Sequence, residues 1–160
     1  MHIHILTTGG TFDKIYHDAL SEFAIGEPMA SELLQEAGVN LSYSVDSLLK
    51  KDSLELTDVD RELLRKQVYN SPHQHILIIH GTDTMSLSAQ HLGTVTNKTV
   101  VFTGAMQPAR MRKSDAPFNL GFAIGVLQCL DSGIYIAMNG QIFNADNVQK
   151  NRSMSRFETL

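Results

Sequence analysis

The chain has 160 residues, a formal net charge of −4 at pH 7 and 42% hydrophobic residues, all ordinary values for a folded globular domain. This composition argues against disorder, and the mild acidity without a long basic run argues against nucleic acid or a membrane surface as the main partner. The single cysteine, Cys129, excludes a disulfide within these residues, and its apolar neighbours predict that it packs in the core.

The first predicted element is a buried strand over residues 2–7, which leaves no room for a signal peptide before it. No apolar stretch is long enough to span a bilayer, so we expect a cytoplasmic protein. The segment that follows, through residue 27, has no clear period and is predicted to be irregular. A helix is then predicted over residues 28–37, opened by Pro28 and closed by Gly38.

The middle of the chain alternates between strands and helices. Residues 40–46 alternate polar and apolar side chains, which predicts a strand near an edge of the sheet. Thr57 has the position of an N-cap for a helix over residues 58–70. Further buried strands are predicted over residues 74–80 and 98–103, with a helix near 84–92 between them.

In the last part of the chain, Asp115-Ala116-Pro117 opens a long apolar helix that is predicted to run to about residue 130. A strand over residues 133–138 and a short hairpin arm over 140–143 follow. From about residue 144 to 160 the chain is polar, and we expect an irregular, linker-like end. The alternation predicts an α/β fold of three α/β/α layers, a mostly parallel sheet flanked by helices, within one domain over residues 1–160.

Two of the predicted strands end in glycine followed by hydroxyl side chains. The first continues into Thr7-Thr8-Gly9-Gly10-Thr11 and the second into His80-Gly81-Thr82-Asp83-Thr84. Ligands of α/β sheets bind outside the carboxyl ends of the strands, so Thr8 and Thr82 could share one edge with Gly104 and Asn139, which follow two other strands. This pattern indicates hydroxyl chemistry on a small polar substrate.

The two loops differ in how well a purely structural role explains them. The loop around Thr8 lacks the spacing of a dinucleotide fingerprint and the lysine of a P-loop, so alone it favours a structural turn. In the second loop Thr84 or Asp83 can cap the next helix, which leaves Thr82 without a structural role. A threonine hydroxyl needs a neighbouring base, and a partly neutral lysine can be that base. His80 is another candidate base, but we interpret it as a hydrogen-bonded core histidine.

These loops belong to a set of motifs that resembles a known family. Thr8-Gly9-Gly10-Thr11 and the block at residues 80–85 resemble the two signature motifs of the bacterial-type L-asparaginase/glutaminase family. Its next motif is similar to the blocks at residues 104–108 and 114–120, and its lysine-bearing segment to residues 138–139 and 146–150. The blocks occur in the family's order and cover nearly the whole chain, so the chain resembles the amino-terminal domain of a cytoplasmic-type member.

The resemblance implies the hydrolysis of a side-chain carboxamide, such as that of L-asparagine, to a carboxylate and ammonia. The reaction would need no metal and no cofactor, and would pass through an acyl-threonine. Thr8 matches the family's nucleophile, with Thr82 as the other threonine that could be acylated. Lys150 matches the lysine that polarises the Thr82 hydroxyl, and Asp83 matches the aspartate that binds the substrate's α-ammonium group.

The resemblance also implies a set of substrate contacts. Ser53 matches the serine that holds the α-carboxylate, but Leu54 stands where the family usually has a polar side chain, which leaves the substrate open. Further contacts are implied at Gly9, Gly81 and Ala105. Tyr16 is either the tyrosine that the family's mobile lid brings to the nucleophile or a surface aromatic, because the lid sequence here departs from the family's.

Members of that family carry a second, smaller α/β domain after the lysine segment, and this chain has no counterpart of it. A natural short homologue, a truncated chain and a domain that binds without turnover all fit this difference. We expect a homo-oligomer or another partner to close the pocket over a small amide substrate. Two rival functions are a regulatory domain that binds aspartate or asparagine and an amidohydrolase of larger amides, such as a peptide or an aminoacyl-tRNA.

Two further features are interpreted without a catalytic role. His73 and His75 could place two imidazoles on one side of a strand, but no third metal ligand is apparent, so we expect exposed histidines at a strand start. The basic residues 110–113 are predicted to form a solvated loop.

Overall fold

A computed structural model describes residues 1–160, which form ten strands and four α-helices. The strands are β1 His2–Gly9, β2 Lys14–His17, β3 Glu22–Ile25, β4 Ser42–Lys51, β5 His75–Ile79, β6 Thr99–Thr103, β7 Gly133–Met138, β8 Gln141–Asn144, β9 Gln149–Asn151 and β10 Arg156–Glu158. The helices are α1 Ala30–Glu36, α2 Asp58–Asn70, α3 Met85–His91 and α4 Ala116–Leu127, with short 3₁₀ turns at Thr11–Asp13 and Ser53–Glu55.

Six strands form one sheet in the order β4-β1-β5-β6-β7-β8. The first five are parallel, and β8 runs antiparallel to its neighbour β7. In the parallel register Ile5 lies beside Leu77, Leu77 beside Val101 and Val101 beside Tyr135. The chain order reverses at β1, because β4 lies on one side of it and β5 on the other. α/β sheets bind ligands at such switch points, so the carboxyl ends of β1 and β5 are the expected place for a site.

Apolar side chains cover both faces of this sheet and give the three predicted layers. On one face the strands pack against α1 and α4 through Ile3, Ile5, Leu77, Val101, Leu34, Leu120, Ala123 and Leu127. On the other face they pack against α2 and α3 through Leu6, Ile76, Ile78, Phe102, Leu64, Val68, Met85 and Ala89. Because successive strand residues point to opposite faces, one buried run such as Ile76–Ile79 supplies both layers. The α/β class with a mostly parallel sheet is confirmed.

The main strands and helices occur where the sequence predicts them, with small shifts at their ends. Thr57 caps α2, since its hydroxyl oxygen accepts the Asp60 N–H at 3.3 Å and the Asp60 carboxylate accepts the Thr57 N–H at 2.8 Å. This reciprocal pair is a capping box. The edge position of β4 is also confirmed, although the strand continues to Lys51.

Two segments predicted to be irregular contain hairpins instead. Strands β2 and β3 pair antiparallel outside the main sheet, and β9 and β10 do the same near the end of the chain. The prediction of an irregular, linker-like stretch over residues 144–160 is therefore wrong. Phe157 of β10 is buried and packs near Phe143, with ring centroids 6.5 Å apart. Strands of three or four residues are too short to show a clear alternation of apolar and polar side chains, so the sequence pattern does not predict these hairpins.

The prediction for Cys129 is also wrong, because the side chain is exposed. Helix α4 ends at Leu127, so Cys129 lies beyond the last helical turn and not on its buried face.

Residues 110–113 are exposed, as predicted, although the Arg110 side chain makes two hydrogen bonds to backbone carbonyl oxygens. His73 is partly exposed and stacks on His2 with ring centroids 4.2 Å apart. None of the helices has the length and apolar character needed to cross a membrane.

Candidate active site

The two threonine loops meet at the switch point of the sheet. Thr8 lies near the end of β1 and is fully buried, with its hydroxyl donating to the Ile79 carbonyl oxygen at 3.3 Å. Gly10 has φ +79°, and a Cβ on it would lie 2.5 Å from the Gly81 Cα. The loops after β1 and β5 therefore touch, and only glycine at position 10 permits both this backbone conformation and this contact. Thr82 follows Gly81 and is also buried.

Lys150 lies on β9, and its side chain reaches the loop of Thr82. Its Nζ donates to Thr82 Oγ1 at 2.7 Å and to Asp83 Oδ1 at 2.8 Å. The Lys150 side chain is 13% exposed and that of Asp83 is 32% exposed, so water is only partly excluded from the pair. A lysine hydrogen-bonded to a buried threonine hydroxyl can carry a proton to or from that hydroxyl. The structure thus brings Thr82, Asp83 and Lys150 together beside the loop of Thr8.

The hairpin that carries Lys150 is fixed by residues with no predicted role. Lys150 lies opposite Phe157 in the β9–β10 ladder, and Phe157 is buried in the core. Arg152 follows β9, and its Nε lies 3.7 Å from Asp83 Oδ1 with the side chain 66% exposed. Sequence reasoning missed Arg152; its one signal is a second cation two positions after the lysine, on the same side of an extended chain.

Ser53 lies against the Thr82 loop from the side of β4. It is buried in the 3₁₀ turn after Asp52, and a Cβ on Gly81 would lie 2.6 Å from the Ser53 Cβ. The Thr84 hydroxyl donates to the Ser53 carbonyl oxygen at 2.7 Å and makes no capping bond to α3, although the sequence suggested a cap there. Leu54 is exposed.

Asp52 fixes this turn and links it to the β2–β3 hairpin. Its carboxylate accepts the Leu54 N–H at 3.1 Å and pairs with the Lys14 Nζ at 3.1 Å. Burial raises the pKa of the Asp52 carboxyl, but the Leu54 N–H and the Lys14 ammonium lower it more, so the pKa lies below its ordinary value. Asp52 is therefore ionised at neutral pH and keeps both contacts.

A buried amide organises the loop that contains Ala105. The Asn119 Nδ2 donates to the Gly104 carbonyl oxygen at 3.0 Å and to the Asp115 carboxylate at 2.9 Å, while the Asn119 Oδ1 accepts the Asn139 N–H at 3.0 Å. Asp115 also accepts the two backbone N–H groups that follow Ala105. The network joins the ends of β6 and β7. The sequence signal for it is an asparagine on an apolar helix, four residues after an aspartate.

His80 is the hydrogen-bonded core histidine that the sequence predicted. It is fully buried, with Nδ1 2.7 Å from the Gly81 carbonyl oxygen and Nε2 2.8 Å from the Ser88 Oγ. Since a carbonyl only accepts, Nδ1 carries the proton and Nε2 accepts from the serine hydroxyl. Burial lowers the His80 pKa to about 4. Both ring nitrogens are occupied, so His80 is not the base for Thr82.

Tyr16 lies on the exposed side of the β2–β3 hairpin. Its side chain is 48% exposed, and its ring packs edge-on against Phe23 with centroids 5.2 Å apart. Its hydroxyl makes no hydrogen bond, and the Thr8 hydroxyl bonds to Ile79. In this conformation Tyr16 has the position of a surface aromatic and is not joined to Thr8.

Two clefts differ in their relation to these residues. One of about 670 Å³ lies between the loop after α3 and the start of β7, away from both threonines. The other, of about 480 Å³, adjoins the carboxyl edge and is lined by Met106, Gln107, Lys113, Ser114, Asp115, Asn139 and Ser155. The hydrogen bonds from Lys150 to Thr82 and Asp83, and not the size of a cleft, therefore identify the candidate site. No group of three or more histidine, cysteine, aspartate or glutamate residues is arranged to hold a metal ion.

Comparison with known proteins gives one consistent result. The family model described as "Asparaginase, N-terminal" matches residues 2–159. A glutaminase-asparaginase of Acinetobacter glutaminasificans is 31% identical over 129 residues, covering 77% of this chain and 38% of the relative. A Haemophilus influenzae protein named "Probable L-asparaginase periplasmic" is 29% identical over 160 residues, covering 93% of this chain and 46% of the relative.

A solved structure agrees with these sequence matches. The thermostable L-asparaginase from Thermococcus kodakarensis superposes with a TM-score of 0.86 at 27% identity, covering 100% of this chain and 51% of that one. The chain spans less than half the length of the two relatives above.

Proposed function

The chain belongs to the asparaginase family, matching the model of its amino-terminal domain over residues 2–159, and from this membership we propose that it hydrolyses side-chain amides of the asparagine type. The products are the corresponding carboxylate, L-aspartate for L-asparagine, and ammonia. The observation that carries the proposal is the Lys150 Nζ, 2.7 Å from Thr82 Oγ1 and 2.8 Å from Asp83 Oδ1, beside the Thr8 loop. A binding domain would not need a lysine on a buried threonine hydroxyl.

The proposed chemistry has two steps. The Thr8 oxygen attacks the amide carbon, a C–O bond forms, and the C–N bond breaks after the nitrogen has taken a proton, so ammonia leaves and an acyl-threonine remains. Water then attacks the ester carbon, the C–O bond to Thr8 breaks, the carboxylate product leaves and the Thr8 oxygen regains its proton. Thr82 and Lys150 move the protons, because their hydrogen bond links a hydroxyl to a group that can exist as amine or ammonium. Backbone N–H groups of the Thr82 loop stabilise the oxyanion.

Asp83 and Ser53 form the proposed substrate clamp. The Asp83 carboxylate binds the α-ammonium group and Ser53 the α-carboxylate, with Gly9, Gly81 and Ala105 lining the reacting end. Asp83 already pairs with Lys150 and lies 3.7 Å from Arg152, so a substrate ammonium group has to compete with two cations of the chain itself. We therefore expect weaker selection for the α-ammonium group here than at a carboxylate without cationic neighbours.

We also propose that the chain works as part of an assembly in the cytoplasm. The Asp83 side chain is 32% exposed and that of Lys150 is 13% exposed, so water reaches this pair and weakens the electrostatic interactions on which the proposed chemistry depends. A second copy of the chain, or another partner, covers these exposed side chains in the proposed assembly. A cytoplasmic location is part of the same proposal, and since the Haemophilus influenzae relative is named periplasmic, fractionation of cells that make the protein is the direct check.

Ammonia release tests this function. The assay compares asparagine, glutamine and a panel of other amides with the wild type, Thr8→Ala and Thr82→Ala, and uses Thr96→Ala as the control because Thr96 is exposed. We expect turnover by the wild type and the control and none by the other two variants. Thermal stabilisation of the wild type by aspartate without any ammonia release would instead support the regulatory binding domain. Turnover of only the larger amides in the panel would support the other rival function.

A further inference from the structure

A single guanidinium group ties together the two ends of the β2–β3 hairpin. The Arg110 Nη1 donates to the Asp13 carbonyl oxygen at 2.9 Å, and Nη2 donates to the Glu27 carbonyl oxygen at 2.9 Å. Asp13 directly precedes β2, and Glu27 lies two residues beyond the end of β3. Arg110 itself belongs to the loop after β6, so the contact joins the base of the hairpin to the segment that contains Ala105.

Other bonds converge on the same point. The Gly26 N–H donates to the Asp13 carbonyl oxygen at 2.8 Å, and a Cβ on Gly26 would lie 3.2 Å from the Arg110 Nη1. The buried Asp13 carboxylate accepts the Met29 N–H at 2.9 Å. Next to Arg110, the Ala109 N–H donates to the Phe12 carbonyl oxygen at 3.0 Å. We call Asp13, Gly26, Glu27 and Arg110 the hairpin clasp.

The clasped hairpin borders the site on two sides. Ile25 of β3 lies against the Thr8 loop, since a Cβ on Gly9 would be 2.9 Å from the Ile25 Cγ2. Lys14 of β2 pairs with Asp52, the residue before Ser53. A two-stranded hairpin outside the main sheet is marginally stable on its own. Its orientation relative to both loops therefore depends on how its base is held.

We propose that Arg110 is a positioning residue, which holds the β2–β3 hairpin against the Thr8 loop and the Ser53 turn so that the substrate clamp and the nucleophile stay aligned. Two parallel donors on one planar group fix the distance between two carbonyls, which a lysine ammonium does less well. The kinetic part of this inference rests on the proposed amide hydrolysis, whereas the structural part does not.

Hydrogen exchange tests the structural part without any need for activity. In Arg110→Gln we expect amide exchange over residues 13–27 to be faster by about tenfold, because two charge-assisted hydrogen bonds are lost, and exchange in β5 and β6 to be unchanged. Arg112→Gln is the matched control, since Arg112 is exposed and its side chain makes no hydrogen bond. Unchanged exchange over 13–27, or a uniform increase across the sheet, would overturn the proposal.

Kinetics on the same variants test the functional part. We expect Arg110→Gln to raise KM and lower kcat, Arg110→Lys to recover part of the loss, and added guanidinium ion to restore Arg110→Ala towards the wild type. Wild-type kinetics in Arg110→Gln would overturn the positioning role even with faster hairpin exchange. If the wild type releases no ammonia, the hydrolysis proposal fails by itself, and the exchange result still decides whether the clasp holds the hairpin.

Discussion

Thr8 lies near the end of β1 and Thr82 follows β5, and both strands are central and parallel, whereas Lys150 and Tyr16 lie on two-stranded hairpins outside the main sheet. The threonine loops are buried and touch each other through glycine backbone. Both hairpins have exposed side chains and are held by few contacts. Phe157 anchors the β9–β10 hairpin in the core, and the hairpin clasp holds the β2–β3 hairpin. One part of the site is therefore built by the core, and the other is attached to it.

Mutations in the strand-end loops and mutations in the hairpins should therefore affect the protein in different ways. A change in the strand-end loops disturbs residues that the sheet core holds, so it costs stability and geometry together. A change in a hairpin can move Lys150 or the proposed substrate clamp while the sheet stays folded, because local opening needs less free energy than global unfolding. The hairpins are thus the part of the site where activity and stability can be separated by mutation.

We expect the largest effect from replacing Lys150, which lies on the β9–β10 hairpin. Lys150→Met keeps the length of the side chain but loses the donor to Thr82 and Asp83, and we expect kcat to fall by about 10²–10⁴-fold, as for other acid–base groups. Ammonia release measures it, with the exposed Lys66→Met as control. Activity close to the wild type in Lys150→Met would show that the lysine is only a counterion for Asp83.

We expect the next largest effect from replacing Phe157, the buried residue that anchors the β9–β10 hairpin in the core. Phe157→Ala empties a buried site opposite Lys150, and we expect the free energy of unfolding to fall by about 3 kcal/mol, with a loss of activity under conditions where the variant is still folded. Urea unfolding and ammonia release give the two values. The exposed Phe118→Ala should leave both near the wild type. If Phe157→Ala loses stability but keeps full activity, the position of Lys150 does not depend on this hairpin.

The two regions also differ in how pH affects their stability. Burial raises the pKa of Asp13, at the base of the hairpin, from 3.8 to about 6, so between these values the folded chain keeps a proton that the unfolded chain has lost. Stability therefore falls as pH rises through this window. His80, at the sheet, has its pKa lowered by burial from 6.5 to about 4, and there stability rises with pH.

Replacing Asp13 should separate these opposing contributions. Asp13→Asn removes the opposing contribution of Asp13, so the gain in unfolding free energy from pH 4 to 6.5 should exceed that of the wild type, by at most about 3 kcal/mol for a shift of this size. Urea unfolding across this range checks it, with the exposed Asp18→Asn as control. Parallel pH profiles for Asp13→Asn and wild type would contradict the assignment.

The smallest expected effect concerns Arg152. Because its guanidinium is exposed and 3.7 Å from Asp83, its interaction is screened by water, and we expect Arg152→Gln to change KM for asparagine by about threefold with little change in kcat. Arg156→Gln, on the neighbouring strand, is the control. A large fall in kcat would mean that Arg152 acts on the reacting atoms.

The sequence predicts the strand-end loops better than it predicts the hairpins. Long apolar runs ending in glycine and hydroxyls place Thr8 and Thr82 at the strand ends, and Thr57 marks the start of α2, because these signals are local. The pairs β2–β3 and β9–β10 are three- or four-residue strands without alternation, and the bonds of Asn119 and Arg110 join residues far apart in the chain. The role of Lys150 came from family resemblance, since no local pattern links it to Thr82.

The most direct test of the account is to find where the acyl group forms. Wild type, Thr8→Ala and Lys150→Met are mixed with asparagine, quenched in acid during turnover, digested and analysed by peptide mass spectrometry. We predict an aspartyl ester on Thr8 in the wild type, none in Thr8→Ala, and a much slower appearance in Lys150→Met. An ester on Thr82 would contradict the assignment of Thr8 as the nucleophile, and ammonia release without any acylated threonine would contradict the acyl-enzyme mechanism.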